Sequence, residues 1–430
     1  MYDWANSAMV AIVVTAVYPI FFSSYAADGL SREVATFRHG IATTIGLAII
    51  AVLAPILGAM ADHTAMKKRM LGTFMGIGVT AVVMMFFIGQ GNWLFAAILF
   101  VLANVGANGS FVFYDALLPH VAPTEELDRV STAGYAMGYI GGGLLLATCL
   151  AVILNPWLVG IPTGDDLSPS MATLPARLSF VAVAIWWVLF AIPLFRYVPE
   201  PAVKALSEEE RRQGTARAAA SRLKRTFREL RRYRNAFVML LAFLIYNDGI
   251  GTIIRMAGIY GTEIGIGQGA LIGAIVLVQF VGIPFAFLFG GLAGWIGTKR
   301  AIFLGLTVYA GISMVGYFMT TATHFFILAI LVGMVQGGTQ ALSRSLFGSM
   351  IPRHESGEFF GLFAVFEKFA GLMGPALFSL MIAITGSSRN AILSVIVFFV
   401  VGGLLLLLVN VEEGQKVARG AERQISDARF

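Results

Sequence analysis

Asp248, Thr252 and Arg255 fall at i, i+4 and i+7 inside one long apolar run. That spacing puts a carboxylate, a hydroxyl and a guanidinium on one face of a helix. Asp248 stands near the middle of its run, where an ionised side chain costs roughly 2.5–3.5 kcal/mol on insertion scales and is usually turned inward for function. Two readings of Asp248 stay open. It binds a substrate amine or a proton, or it makes a structural hydrogen bond to an unwound backbone near Gly249 and Gly251. Arg255 lies nearly two turns away, so the two charges can line one cavity without touching. Glu367 and Lys368 form a second candidate set. Adjacent helical residues point about 100° apart, so they are not expected simply to neutralise each other. Lys368 is the better cavity residue, for a substrate carboxylate or as a partner for Asp248. Glu367 and Asp248 are the candidate proton carriers of this half.

Amides form two stripes. Asn104 and Asn108 are followed by Asp115, and Gln336 and Gln340 by Arg344. Amides at i and i+4 offer donors and acceptors to a polar solute without full charge, or bond between helices for ~0.6–2 kcal/mol each. Asp115 and Arg344 lie nearer the ends of their runs and read as gate or helix-end ion pairs. At the start of the chain, Asp3, Asn6 and Ser7 share one face. Asp3 has a transport role there, or a helix-end role in which the positive end of the helix dipole holds its carboxylate. Asn6 joins the candidate substrate residues and Asp3 the candidate coupling residues. Gly134, Gly138, Gly142 and Gly143 read first as a close-packing face, with antiport as a weaker reading.

The elements that must position these residues are membrane helices. The 430-residue chain is 58% hydrophobic and only 13% charged, against about 25% charged in soluble proteins. A span needs roughly 20 apolar residues. Twelve stretches meet that rule: 4–27, 38–61, 70–89, 93–117, 131–154, 177–197, 236–260, 268–296, 301–321, 324–348, 358–384 and 390–410. Most of the 30 lysines and arginines fall in segments that share one side of the membrane. Arg32, Arg38, Arg177 and Arg389 fall on the other, and Arg255, Arg344 and Lys368 lie within spans. This bias is the positive-inside pattern and places both ends of the bundle in the cytoplasm. No cleavable signal peptide is expected, because the first apolar stretch is long and has no basic start. The net charge of +6 is therefore a topology signal, and no nucleic-acid partner is implied. The single Cys149 excludes an intrachain disulfide.

The longest polar segment, 198–235, holds eleven Lys and Arg and reads as a cytoplasmic linker with an amphipathic helix. Four units are expected: a six-helix bundle over 1–197, the linker, a second six-helix bundle over 236–411 and a tail over 412–430. The two halves echo each other. Gly58-Ala59-Met60-Ala61-Asp62 precedes Lys67-Lys68-Arg69, and Gly290-Gly291-Leu292-Ala293-Gly294 precedes Lys299-Arg300. The same offset carries Asn104 and Asn108 onto Gln336 and Gln340. Asp62 has no acidic counterpart, because Gly294 stands in its place. No phosphate-binding loop, metal-ligand spacing or nucleophile–base pair is present. No enzyme activity, metal or cofactor is expected.

The Gly58–Arg69 stretch resembles the loop between spans two and three of the major facilitator superfamily. The resemblance implies that Asp62 sits at a helix end, bridges neighbouring helices and helps hold an outward-open state; a plain positive-inside anchor is the alternative. Tyr2-Asp3-Trp4-Ala5-Asn6-Ser7-Ala8, Tyr246-Asn247-Asp248-Gly249 with Thr252-Ile253-Ile254, Gln340-Ala341-Leu342-Ser343-Arg344-Ser345, and Glu358-Phe359-Phe360-Gly361 with Lys368 and Gly374-Pro375 follow in the order of the vacuole-effluxer branch of that superfamily. The resemblance covers nearly the whole chain. Fungal members are autophagy-related vacuolar amino-acid exporters. Members carry a short basic segment ahead of the opening tyrosine, which here is the second residue. Arg255 and Glu367 stand where the branch has small or uncharged residues, and Tyr114-Asp115 replaces an Asn-Ala pair. The expectation is an all-α major facilitator fold, monomeric, in a bacterial inner membrane. It would transport a small polar solute, an amino acid or related zwitterion, by alternating access with proton coupling. The alternatives are a lipid or peptide-like amphiphile as substrate, or a non-transporting receptor on the same scaffold.

Overall fold

A hydrocarbon environment offers the backbone no hydrogen bonds, so each apolar run must satisfy its own N–H and C=O groups as a helix. The computed structural model describes residues 1–164, 166–201, 232–263, 265–371 and 373–427. Most of the expected linker, with its amphipathic helix, and the last three residues of the tail lie outside the described residues. Twelve helices are long and apolar enough to cross a membrane. In order they are Tyr2–Ala26, Val34–Asp62, Lys67–Phe87, Trp93–Val121, Thr124–Leu154, Leu174–Tyr197, Arg234–Ala257, Gly273–Ile296, Thr298–Tyr317, Ala322–Ser349, Arg353–Thr385 and Ser388–Leu407. The described residues contain no strand. The expected twelve spans and the all-α class hold, with boundaries moved by a few residues.

Spans one and eleven depart from a regular α-helix near the candidate residues. The first widens to π-helical turns over Val10–Ala16 and Phe22–Ala26. Pro19 lies between these segments and has no N–H to give the preceding turn. On either side the backbone bonds i to i+5, Val17 N–H to Ile12 O and Ala27 N–H to Phe22 O, both at 2.8 Å. Such turns concentrate at functional sites. The eleventh span breaks. One helix ends at Phe369, Ala370 is extended with ψ 98°, Gly371 takes φ +143°, and a second helix starts at Met373. Only glycine adopts that φ without strain.

The chain forms two compact units. The first comprises Met1–Leu53, Lys68–Tyr114 and Met137–Pro199. Its core centres on the first span: Tyr18 stacks on Phe100 at 4.6 Å, and Tyr2 and Trp187 are fully buried. Gly138, Gly141 and Gly142 lie against Asp3, Trp4 and Ser7, where side chains would collide. Gly138 and Gly142 belong to the expected close-packing face, and Gly141 adds a contact beside them.

The second unit comprises Ala54–Lys67, Asp115–Ala136 and Glu200–Phe430. Its large apolar core joins spans seven to twelve, and Phe243 stacks on Phe363 at 4.5 Å. The unit also takes in the end of span two and the junction of spans four and five. At Gly58 a Cβ would overlap the Gly357 carbonyl oxygen, and at Gly361 it would meet the Ala54 carbonyl oxygen at 2.6 Å. The backbones of spans two and eleven touch here because neither carries a side chain. Beyond the last span, Val411–Asp427 forms a helix that buries Gly414, Ala418 and Ala421.

Candidate functional site

The break in span eleven is held by two side chains from span seven. The helix starting at Met373 leaves its first N–H groups without intrahelical acceptors. Asp248, fully buried, accepts from two of them through Oδ2, at 3.0 Å from Met373 N and 3.1 Å from Gly374 N. Pro375, next in line, has no N–H to satisfy. One turn from Asp248, Thr252 returns its hydroxyl to the Asp248 carbonyl at 2.7 Å. Arg255 donates to the Gly371 carbonyl at 3.1 Å and to the Gly251 carbonyl at 3.1 Å. An acid and a base thus complement the positive and negative sides of one helix break. The Asp248 Oδ1 atom is buried and has no hydrogen-bond partner among the described residues.

The structure therefore corrects three expectations. Asp248 does bond backbone, but on span eleven rather than near Gly249 and Gly251. Lys368 does not pair with Asp248. Its ammonium lies 3.3 Å from the Glu367 carboxylate, so these neighbours do meet. Their Cβ directions diverge, but long flexible stems bring the charged ends together. Both are half-buried, in the last turn before the break.

The amide stripe of span ten divides. Gln340 donates to Asn247 Oδ1 of span seven at 3.2 Å, beside a bond between Tyr246 and Ser343. Gln336 is half-buried and makes no side-chain hydrogen bond among the described residues. In the first unit, Asn104 and Asn108 donate within their own helix, to Phe100 O at 3.0 Å and Asn104 O at 2.9 Å. Among the described residues neither amide donates across to another helix. Their side-chain oxygens remain as acceptors.

The first unit holds its own buried polar cluster. Tyr114 donates to Asp3 Oδ2 at 2.5 Å, and Asn6 donates to Ser110 at 3.3 Å. Asn6 is fully buried, and its Oδ1 has no hydrogen-bond partner among the described residues. The Trp187 indole points at the Tyr2 hydroxyl, 3.4 Å away. Tyr114 and Ser110 were missed in the sequence. Four residues apart, they share a face of span four that is turned about 80–120° from Asn104.

A third set, within the second unit, gathers Asp62, Asp115 and Arg344. Asp62 accepts from Gly357 N at 2.9 Å and Glu358 N at 2.8 Å, capping the first helix of span eleven. Lys67 bridges to it at 2.7 Å and reaches Ser356 at 3.0 Å and His120 at 3.2 Å. Arg344 pairs with Asp115 at 2.8 Å, donates to the Ser131 hydroxyl at 3.0 Å and lies 4.9 Å from the Tyr135 ring. Asp128 accepts from Ser345 and Thr298. Lys67, His120, Ser131 and Asp128 were not among the expected site residues. They read as ordinary loop or helix-end residues until the fold brings distant segments together. No group of three or more metal-ligating side chains occurs among the described residues.

Residues 29–419 match the family described as vacuole effluxer Atg22 like. The Bacillus subtilis MFS-type transporter YxiO is 38% identical over 97% of this chain and 95% of its own length. Autophagy-related protein 22 of Coccidioides immitis is 22% identical over 91% of this chain and 75% of its own. Among solved structures, the proton:xylose symporter XylE aligns over 97% of this chain and 96% of its own, with a TM-score of 0.70 at 12% identity. The Escherichia coli fucose:proton symporter FucP aligns over 95% and 96%, with a TM-score of 0.66 at 15% identity. These likenesses establish a major facilitator fold. The chain belongs to the Atg22-like vacuole effluxer family and is a multi-pass secondary transporter of the major facilitator superfamily.

Proposed function

We propose that the protein moves an amino acid or related zwitterion across a bacterial inner membrane by alternating access, with proton coupling. The observation that carries this reading is the broken eleventh span with Glu367 and Lys368 at its edge. Transporters build substrate sites from interrupted helices, whose free ends present oriented dipoles. An ion pair beside such an end has the charges a zwitterion needs. Lys368 exchanges Glu367 for the substrate carboxylate, and Glu367 exchanges Lys368 for the substrate ammonium. In the same unit, Gln340 with Asn247 and Gln336 supply neutral polarity; the candidate polar residues of the first unit are Asn104, Asn108 and Asn6. Asp248 and Arg255 then act on the site through the helix break, by holding its two ends.

Asp3, bonded to Tyr114, and Glu367 are the proposed proton carriers. Asp62, Asp115 and Arg344 are the proposed gate, since their bonds tie the ends of spans two and four to spans ten and eleven. Export is the proposed direction, following the effluxer name of the family.

The test is uptake of labelled amino acids into proteoliposomes, with and without a pH gradient. Wild type accumulates at least one amino acid, and Lys368→Ala and Glu367→Gln do not. Flux of sugars or amphiphiles alone, or full activity in both variants, removes the zwitterion reading.

A further inference from the structure

A cavity of about 230 Å³ lies in the second unit, between the start of span seven, the end of span twelve and the terminal helix. It is several times the ~30 Å³ share of one water. Arg232, Arg234, Asn235, Asn410, Glu413 and Leu408 form its chemically distinct lining. None of these belongs to the transport site or the gate.

The lining is built rather than incidental. Asn235 accepts from Asn410 N at 2.9 Å and donates to Glu413 at 3.2 Å, and Glu413 N bonds Asn410 Oδ1 at 3.1 Å. Tyr233, buried between the two arginines in sequence, packs edge-on against Phe359 at 5.2 Å and anchors the segment. The arginines themselves are exposed. Arg232 donates to Gln424 at 3.0 Å, and Arg234 has no ion pair or side-chain hydrogen bond among the described residues. Two cations thus stand at one cavity with donors to spare, and Glu413 keeps acceptor capacity beyond the Asn235 bond.

The position is that of a lipid headgroup. Arg234 opens span seven and Leu407 closes span twelve, so the cavity sits at the boundary of the apolar zone. Leu408, on its wall, is 71% exposed and offers an apolar surface to an acyl chain. Basic pockets at this depth bind phosphate-bearing headgroups. Glu413 adds selectivity. It opposes a purely anionic headgroup and complements one that also carries a cation. A primary ammonium can donate to Glu413, whereas a quaternary ammonium has no N–H to give.

We propose that this cavity binds the phosphoethanolamine headgroup of a membrane phospholipid, with Arg232 and Arg234 on the phosphate and Glu413 on the ammonium. The experiment titrates the purified full-length protein with short-chain phosphatidylethanolamine, phosphatidylcholine and phosphatidylglycerol, and with free phosphoethanolamine, reading bound lipid by native mass spectrometry. Phosphatidylethanolamine is expected to bind tightest. Arg234→Ala weakens the phospholipids together by about fivefold, the worth of one interfacial basic residue. Arg234→Lys, which keeps the charge, loses less. Glu413→Gln, which can still accept from Asn235, removes the preference for ethanolamine over choline and leaves phosphate binding intact. Equal binding of ethanolamine and choline lipids by wild type, or unchanged binding in Arg234→Ala, overturns the proposal. Free phosphoethanolamine binding as tightly as the lipid overturns the lipid source.

Discussion

Asp248 is buried, and its Oδ2 atom takes two backbone N–H groups of the helix that restarts at Met373. Asp248→Ala leaves both without an acceptor. Each buried, unpaired donor costs ~1–3 kcal/mol, so the loss is about 2–6 kcal/mol. Asp248→Asn keeps an acceptor oxygen but gives up its charge. Two bonds falling from the charged range to the neutral range cost about 2 kcal/mol in total. The order of stability is wild type, then Asn, then Ala. Hydrogen–deuterium exchange of the segment after Gly371 reads the effect locally, and thermal unfolding of the detergent-solubilised protein reads it globally. In the Ala variant the Met373 and Gly374 amides should exchange at least about thirtyfold faster, the equivalent of the lower bound. Wild-type exchange and an unchanged melting temperature in Asp248→Ala would refute the capping argument. Exchange that rises uniformly along the chain would refute its local character.

The gate cluster should behave as a coupled pair. Arg344→Ala removes the cation from a carboxylate 2.8 Å away and should destabilise by ~3–5 kcal/mol; the Asp115→Ala, Arg344→Ala double variant recovers part of that loss in a double-mutant cycle, and strict additivity would show the pair is not coupled. Gly58→Val places a branched side chain against the Gly357 carbonyl and should cost ~1–3 kcal/mol or more in thermal unfolding. Gly291→Val, at a glycine with open space around it, is the matched control, and equal losses in both would remove the close-contact argument. Tyr114→Phe deletes the donor to Asp3 and should cost ~1.5–3 kcal/mol. If its melting temperature equals that of wild type, Tyr114 does not hold Asp3.

Much of the site was legible because charge in an apolar run is expensive and therefore rare. Asp248, Arg255, Arg344, Glu367 and Lys368 stood out from their neighbours by type alone. Their partners did not. Nothing near Asp248 in sequence points to the amides of Met373 and Gly374, 125 residues away. The Glu367–Lys368 contact was misjudged because helix geometry sets Cβ directions, while the ends of long side chains still move freely. Lys67, His120 and Ser131 look like ordinary loop and helix-end residues until Ser356 and Arg344 arrive beside them.

The sequence by itself determined the number of spans, the side on which positive charge collects, the echo between the halves and the family. Those properties depend on local composition, which lipid and water read directly. Only the tertiary structure decided that span eleven breaks at Ala370–Gly371, that Asp248 and Arg255 hold the two ends of that break, and that Asp62 caps the same span at its start. A helix end is stable in lipid only if something satisfies its free N–H and C=O groups. Here the satisfying side chains come from other spans, so the break exists only once those spans have packed.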